Sequence, residues 1–295
     1  MKAMSRALLC VALVLACTSC ATNANSRALA SSWTELGNTW AELGKWDKAG
    51  LAWQEALDLD PSQGAAGYNL ARALAESGQY DKAIAAADTV LKRDKDNTMV
   101  LSVKAYALHK AGSYEQALVL YEQVLALNGG NADTLMNLAV LLESARRYDE
   151  AIGRYQEVLA ARPDDQAASL RLALCLSALN KPLDALEAAK PWFTANPDLL
   201  AALRLKARLQ EQAMLYAQAI ENLVLITNRA PDDAASWFAL ARLRLGPAGD
   251  GPAGLEALQS ALSAGFADRD AMQKLADDTA IASRDQVLAL LSAKL

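Results

Sequence analysis

The stretch Trp33-Thr34-Glu35-Leu36-Gly37-Asn38-Thr39-Trp40, followed by Ala49, Trp53, Ala56 and Pro61, fixes a pattern that the rest of the chain repeats. Gly37 heads a column of small residues, Ala71, Ala105, Ala139, Ala173, Ala207 and Ala241, each 34 residues after the one before. Ala49 heads a second column at the same spacing, through Ala83, Ala117, Ala151, Ala185 and Ala219. A third is aromatic, with Trp46, Tyr80, Tyr114, Tyr148 and Tyr216, interrupted only by Pro182. A fourth marks turns: Pro61, Lys95, Gly129, Pro163, Pro197 and Pro231. One alanine column could arise by chance in so alanine-rich a chain. Four columns of different chemistry in one register could not. A small residue at a fixed position lets two helices cross closely, since a larger side chain would force their axes beyond about 8–10 Å.

Composition agrees with helices. Hydrophobic residues make up 53% of the 295, mostly Ala and Leu with only 3 Phe, and strong helix formers dominate the polar positions as well. Gly44, Gly78 and Gly112 are placed to end the first helix of their units with a left-handed residue. Asp47, Asp81, Glu115 and Asp149 then open the second helices, where the helix dipole favours an anion.

These residues resemble the tetratricopeptide repeat, a helix–turn–helix unit with the pattern W-x2-L-G-x2-Y…A-x3-F…P. The resemblance implies an all-α fold, a right-handed α-solenoid of about seven repeats with a C-terminal helical cap. The repeats fall at 30–63, 64–97, 98–131, 132–165, 166–199, 200–233 and a looser 234–266. The fifth departs at Pro182 and Pro191. In the seventh, the stretch Gly246–Gly254 lengthens the turn, so Gly254, Leu258 and Ala261 take the second-helix positions. Residues 267–295 read as two capping helices, around 269–276 and 284–293, because a solenoid needs a terminal unit with a polar outer face.

The N-terminus carries a separate signal. Lys2 and Arg6 precede an apolar run from Ala7 to Ala16, the arrangement of a secretory signal and about half the length of a membrane span. The segment Val14-Leu15-Ala16-Cys17-Thr18-Ser19-Cys20 is similar to the lipobox of bacterial lipoproteins, with Cys17 favoured over Cys20 for lipidation. The organisation read is a signal over 1–16, a small and polar tether over 17–29, the repeat array over 30–266 and the cap over 267–295. No Asp follows either Cys, which by the same resemblance favours the outer membrane where two membranes are present. The expected location is the periplasmic face of a bacterial envelope membrane.

The net charge is −5, and removing a signal with Lys2 and Arg6 makes the remainder more acidic. Such a chain lacks the cationic excess that nucleic-acid binding requires. The sole histidine, His109, reads as a groove contact or pH-sensitive partner, or as a solvated helix residue, and one His makes neither a metal site nor an acid–base pair. Cys175 lies between apolar neighbours and reads as core. The Gly246–Gly254 stretch lacks the Lys and hydroxyl of a phosphate loop. Asp164-Asp165 and Asp232-Asp233 read as helix starts, not a calcium site. No enzyme activity, metal or cofactor is expected; a carboxylate-based enzyme is the remote alternative.

The family resemblance implies that the first helices line a concave groove. On that face fall Thr34, Asn38, Tyr68, Asn69, Arg72, Met99, Tyr106, His109, Met136 and Asn137, with Asn69 and Asn137 where relatives hold the backbone of an extended peptide. Later repeats offer Arg171, Arg204, Arg208, Arg242 and Phe238, a locally basic stretch suited to an acidic peptide or carboxylate. Met99 and Val103 stand where chaperone-binding relatives place cations, which argues against chaperone tails. The function expected is a membrane-anchored scaffold that binds proteins or peptides through this groove, or an accessory lipoprotein of a transport, secretion, pilus or outer-membrane assembly system.

Overall fold

In a computed structural model of the chain, residues 23–281 and 283–292 are described. The signal and both candidate lipidation sites, Cys17 and Cys20, lie outside them. Seventeen helices are present among the described residues. The first seven are α1 (Asn23–Glu42), α2 (Trp46–Leu59), α3 (Gly64–Glu76), α4 (Tyr80–Leu91), α5 (Thr98–Lys110), α6 (Tyr114–Asn128) and α7 (Ala132–Ser144). Next come α8 (Tyr148–Ala161), α9 (Gln166–Ala178), α10 (Pro182–Ala188), α11 (Lys190–Ala195), α12 (Leu200–Gln212) and α13 (Tyr216–Arg229). The chain ends with α14 (Ala234–Leu245), α15 (Gly251–Ser263), α16 (Arg269–Asp277) and α17 (Arg284–Leu291). The helices pack in consecutive pairs, as 34-residue units demand. The chain forms two compact bodies, one ending at Glu157 and the other beginning at Val158, so the boundary falls inside α8.

The periodic columns are the core. Every member of the two alanine columns is buried, from Ala49 and Ala71 to Ala219 and Ala241. Gly37 shows the reason most sharply, since a Cβ there would overlap the indole of Trp53. Trp53, Tyr121 and Tyr155, again spaced by whole repeats, fill the space beside the crossings and are almost fully buried. Their polar atoms differ. Trp53 Nε1 donates to Asn38 Oδ1 at 3.1 Å, and the Tyr155 hydroxyl donates to Glu143 at 2.5 Å. The Tyr121 hydroxyl has no hydrogen-bond partner among the described residues, and its burial pushes its pKa up.

The turn inside each repeat is built on a left-handed residue. Gly44, Gly78 and Gly112 have φ of 70°, 78° and 84°, as the sequence predicts. The same position in the next three repeats holds Arg146, Asn180 and Met214, at φ 59°, 56° and 58°. The geometry persists where glycine does not, because the amide of the next residue must still reach back into the helix. Arg147 N bonds Leu142 O at 2.8 Å and Leu215 N bonds Gln210 O at 2.7 Å, like Lys45 N to Trp40 O at 2.9 Å.

Two features differ from the sequence reading. Helix α1 begins at Asn23, so residues 23–29 are helical, where the sequence reads a tether to 29. The second helix of repeat 5 is broken into α10 and α11 around Ala189. Pro191 has no N–H to continue the ladder, and the buried Ser169 hydroxyl donates to Ala188 O at 2.6 Å. The last repeat and the tail then share one core, in which Phe238 stacks on Phe266 with centroids 4.0 Å apart.

Candidate functional site

The first body carries two adjoining hollows. One, of 440 Å³, is walled by Tyr68, Arg72 and Glu76 of α3, by Met99, Ser102, Val103 and Tyr106 of α5, and by Asn131, Asp133, Thr134 and Asn137 at the start of α7. The other, of 980 Å³, is walled by Asn38, Ala41 and Glu42 of α1, Trp46 and Trp53 of α2, and Asn69, Arg72 and Glu76 of α3. Arg72 and Glu76 belong to both. They sit one turn apart on α3 and so project from the same face.

Why these side chains gather here follows from the repeat. The small columns seat each first helix close to its partner, which fixes the direction of every residue one turn away. Tyr68, Arg72, Met99, Tyr106 and Asn137, assigned to one groove from the sequence, line one hollow. Asn38 and Asn69 line its neighbour, where Asn69 Nδ2 donates to Asn38 Oδ1 at 2.9 Å. That bond leaves Asn69 one N–H and its carbonyl for a ligand. Met99 is 57% exposed, so its apolar side chain is open to a ligand at the hollow wall. Tyr106 is half-buried, with Lys110 Nζ 5.5 Å from its ring centroid. Burial, then the charge of Glu76, then Tyr80 push its hydroxyl pKa up, so it stays a neutral donor.

Charge divides the hollows unevenly. Arg72 is exposed and makes no ion pair among the described residues. Three carboxylates, Glu42, Glu76 and Asp133, share the walls with it. The sequence reading named Arg72 but missed Glu76, although a spacing of four on one helix is enough to find it. It also missed Glu42, Trp46, Asn131 and Asp133, which reach the hollows from helix ends.

Several expected groove residues lie elsewhere. His109 is buried, not solvated; its Nε2 lies 3.0 Å from Ser144 Oγ on α7, and its ring tilts against Tyr114 at 6.0 Å. Burial first, then Lys110, holds its pKa below 6.5. Met136 is half-buried and outside both hollows. In the second body, Phe238 is core, not a contact surface.

The basic stretch expected there is largely neutralised. Arg204 binds Asp233 at 2.7 Å, and Arg242 binds Glu211. Burial alone would raise the Asp233 carboxyl, but hydrogen bonds from Ser236 and Arg204 outweigh it, and its pKa lies below the ordinary value. Arg171 is half-buried, while Arg208 stays exposed. Cys175 is buried, as expected of core. Asp165 and Asp233 cap α9 and α14 by accepting from Ala168 N and Ser236 N.

Comparison with known proteins agrees with this geometry. Residues 34–99 match a family model described as tetratricopeptide repeat, and residues 73–177 match the N-terminal TPR repeats region of Psidin. Together the two matches span residues 34–177, and the consecutive helix pairs along the described residues are consistent with a tetratricopeptide-repeat solenoid. No curated protein matches it. Among solved structures, a TPR protein from Parabacteroides merdae is similar at 15% identity and a TM-score of 0.57, over 88% of this chain and 98% of that one. PilF of Pseudomonas aeruginosa is similar at 18% identity and a TM-score of 0.57, over 71% and 94%. YrrB, described as a TPR protein with an unusual peptide-binding site, is similar at 20% and 0.52, over 60% and 91%. At such identities the likeness is one of fold.

Among the described residues no helix is long and apolar enough to cross a membrane, and no three His, Cys, Asp or Glu side chains gather as metal ligands. The hollows offer aromatic faces, amides and charges of both signs, which is the equipment of recognition.

Proposed function

We propose that the chain is a scaffold that binds other proteins through the two adjoining hollows that Arg72 and Glu76 share, acting by binding and without catalysis. The observation that carries this reading is their shared wall. Arg72 and Glu76 line both, so one extended segment lying across α3 would meet apolar faces on either side and two charges of opposite sign between them. Tyr68, Met99 and Tyr106 supply the apolar and aromatic area, and Asn69 and Asn137 supply amides for its backbone. The reading includes export and attachment to the periplasmic face of a bacterial envelope membrane, through a lipid on Cys17 or, failing that, Cys20. An apolar signal followed by this cysteine pair supports it.

A photo-crosslinker at Met99 in the native cell tests the site. Envelope proteins captured by the intact chain and lost when Tyr68, Arg72 and Tyr106 are changed to Ala support the groove; an unchanged set refutes it. Labelling with radioactive palmitate tests the anchor separately. Incorporation lost in Cys17→Ser assigns that residue, loss only in Cys20→Ser assigns the other, and no incorporation in the intact chain refutes lipidation.

A further inference from the structure

A further hollow lies in the second body, where the repeat geometry is broken. The face of the interrupted helix presents Leu183 and Leu186 from α10 and Phe193 from α11. Across from them stand Lys206 and Gln210 of α12 and Gln218 of α13, enclosing 560 Å³. That is the size of a small-ligand pocket, in which an apolar wall and a few placed polar groups are the usual division of labour.

The polar wall is ordered. Gln210 is only 4% exposed, and its Oε1 accepts from Asn222 Nδ2 at 2.8 Å. Its Nε2 donates to Gln218 Oε1 at 3.2 Å. The amide chain therefore uses the carbonyl of Gln218 and leaves its N–H groups as donors. Lys206 is half-buried, with Nζ 6.0 Å from the centroid of Phe193. It makes no ion pair among the described residues. The other cation of the wall, Lys190, is already held by Glu187 at 2.5 Å. One unpaired ammonium and one amide donor thus face an apolar surface, with the only lining carboxylate neutralised.

We propose that this hollow binds a carboxylate carried on an apolar body. The carboxylate pairs with Lys206 and accepts from Gln218 Nε2, and the body lies on Leu183, Leu186 and Phe193. A cation is repelled by Lys206, and an uncharged apolar molecule leaves that ammonium desolvated without a partner. The chemistry fits a free amphipathic acid or an acidic side chain between apolar residues of a polypeptide. The site is separate from the hollows on which the proposed function rests, and its failure leaves that reading standing.

Isothermal titration of the purified full chain tests it with two pairs of probes. Phenylbutyrate is compared with phenylbutyramide, and acetyl-Leu-Glu-Leu-amide with acetyl-Leu-Gln-Leu-amide. The expected result is binding of at least one carboxylate, with its uncharged counterpart about tenfold weaker. The acid that binds more tightly identifies the source, free or peptide-borne. Lys206→Met reduces the carboxylate to the level of the amide, while Lys206→Arg retains it. Failure of both carboxylates to bind, equal binding of acid and amide, or undiminished binding in a folded Lys206→Met chain each overturns the proposal. The acid–amide comparison uses the unaltered chain and decides even where a variant fails to fold.

Discussion

The left-handed turn residue at Met214 can be tested with a pair of substitutions whose order is diagnostic. Met214 has φ 58° and is 73% exposed, so its side chain contributes little burial. A non-glycine residue in this conformation carries about 1–2 kcal/mol of steric strain that glycine escapes. Glycine gives back about 0.5–1 kcal/mol because its unfolded chain is freer. Met214→Gly and Met214→Ala lose the same packing, so their difference isolates the backbone. Met214→Gly is expected to be more stable than Met214→Ala by about 0.5–1 kcal/mol. At Arg208, exposed in the middle of α12, the order reverses, with Gly worse than Ala by about 1 kcal/mol. Repeat arrays unfold segment by segment, so the readout is amide exchange in α12 and α13 alongside urea denaturation. If Met214→Ala proves as stable as Met214→Gly, the turn there is not left-handed and the repeat-wide reading of this column fails.

Tyr155→Phe removes a hydroxyl bonded to the Glu143 carboxylate and is expected to cost about 1.5–3 kcal/mol. Tyr121→Phe removes a buried hydroxyl with no partner, so its urea midpoint should stay level or rise, by up to about 1 kcal/mol in stability. Gly37→Ala drives a Cβ into Trp53 and is expected to cost about 1–3 kcal/mol. Gly50→Ala, whose Cβ would lie 3.9 Å from Leu70, should gain about 0.5–1 kcal/mol; thermal melts of the two variants check the contrast. His109 titrates below 6.5 when folded, so the unfolded chain takes up its proton first as pH falls. Stability should therefore decline below pH 6.5 until the folded His109 also protonates, and His109→Gln should flatten that part of the profile.

How far the sequence could be read depended on whether one repeat contained the whole cause. The alanine columns were legible because each reports a helix crossing inside its own unit, and a crossing tolerates only small side chains. The glycine turns were legible in three repeats and hidden in the next three, where Arg146, Asn180 and Met214 adopt the conformation against their preference. There the fold overrides propensity, and only the position in the period betrays it. Side chains that reach between repeats were misjudged. Arg204 looked like an available cation because Asp233 lies at a helix start 29 residues on, off the repeat spacing. His109 looked solvated because Ser144, its partner, is one repeat and one residue away. Phe238 occupies a groove position by count, yet Phe266, at the end of the same irregular repeat, stacks on it. The same logic explains the orphaned hydroxyl of Tyr121. Trp53 finds its acceptor at Asn38 and Tyr155 finds one at Glu143. In Tyr121's own repeat those two positions are Tyr106 and His109. The first lines the hollow and the second is already joined to Ser144. Neither supplies the acceptor that Asn38 and Glu143 supply in their own repeats, and the core hydroxyl is left unsatisfied among the described residues.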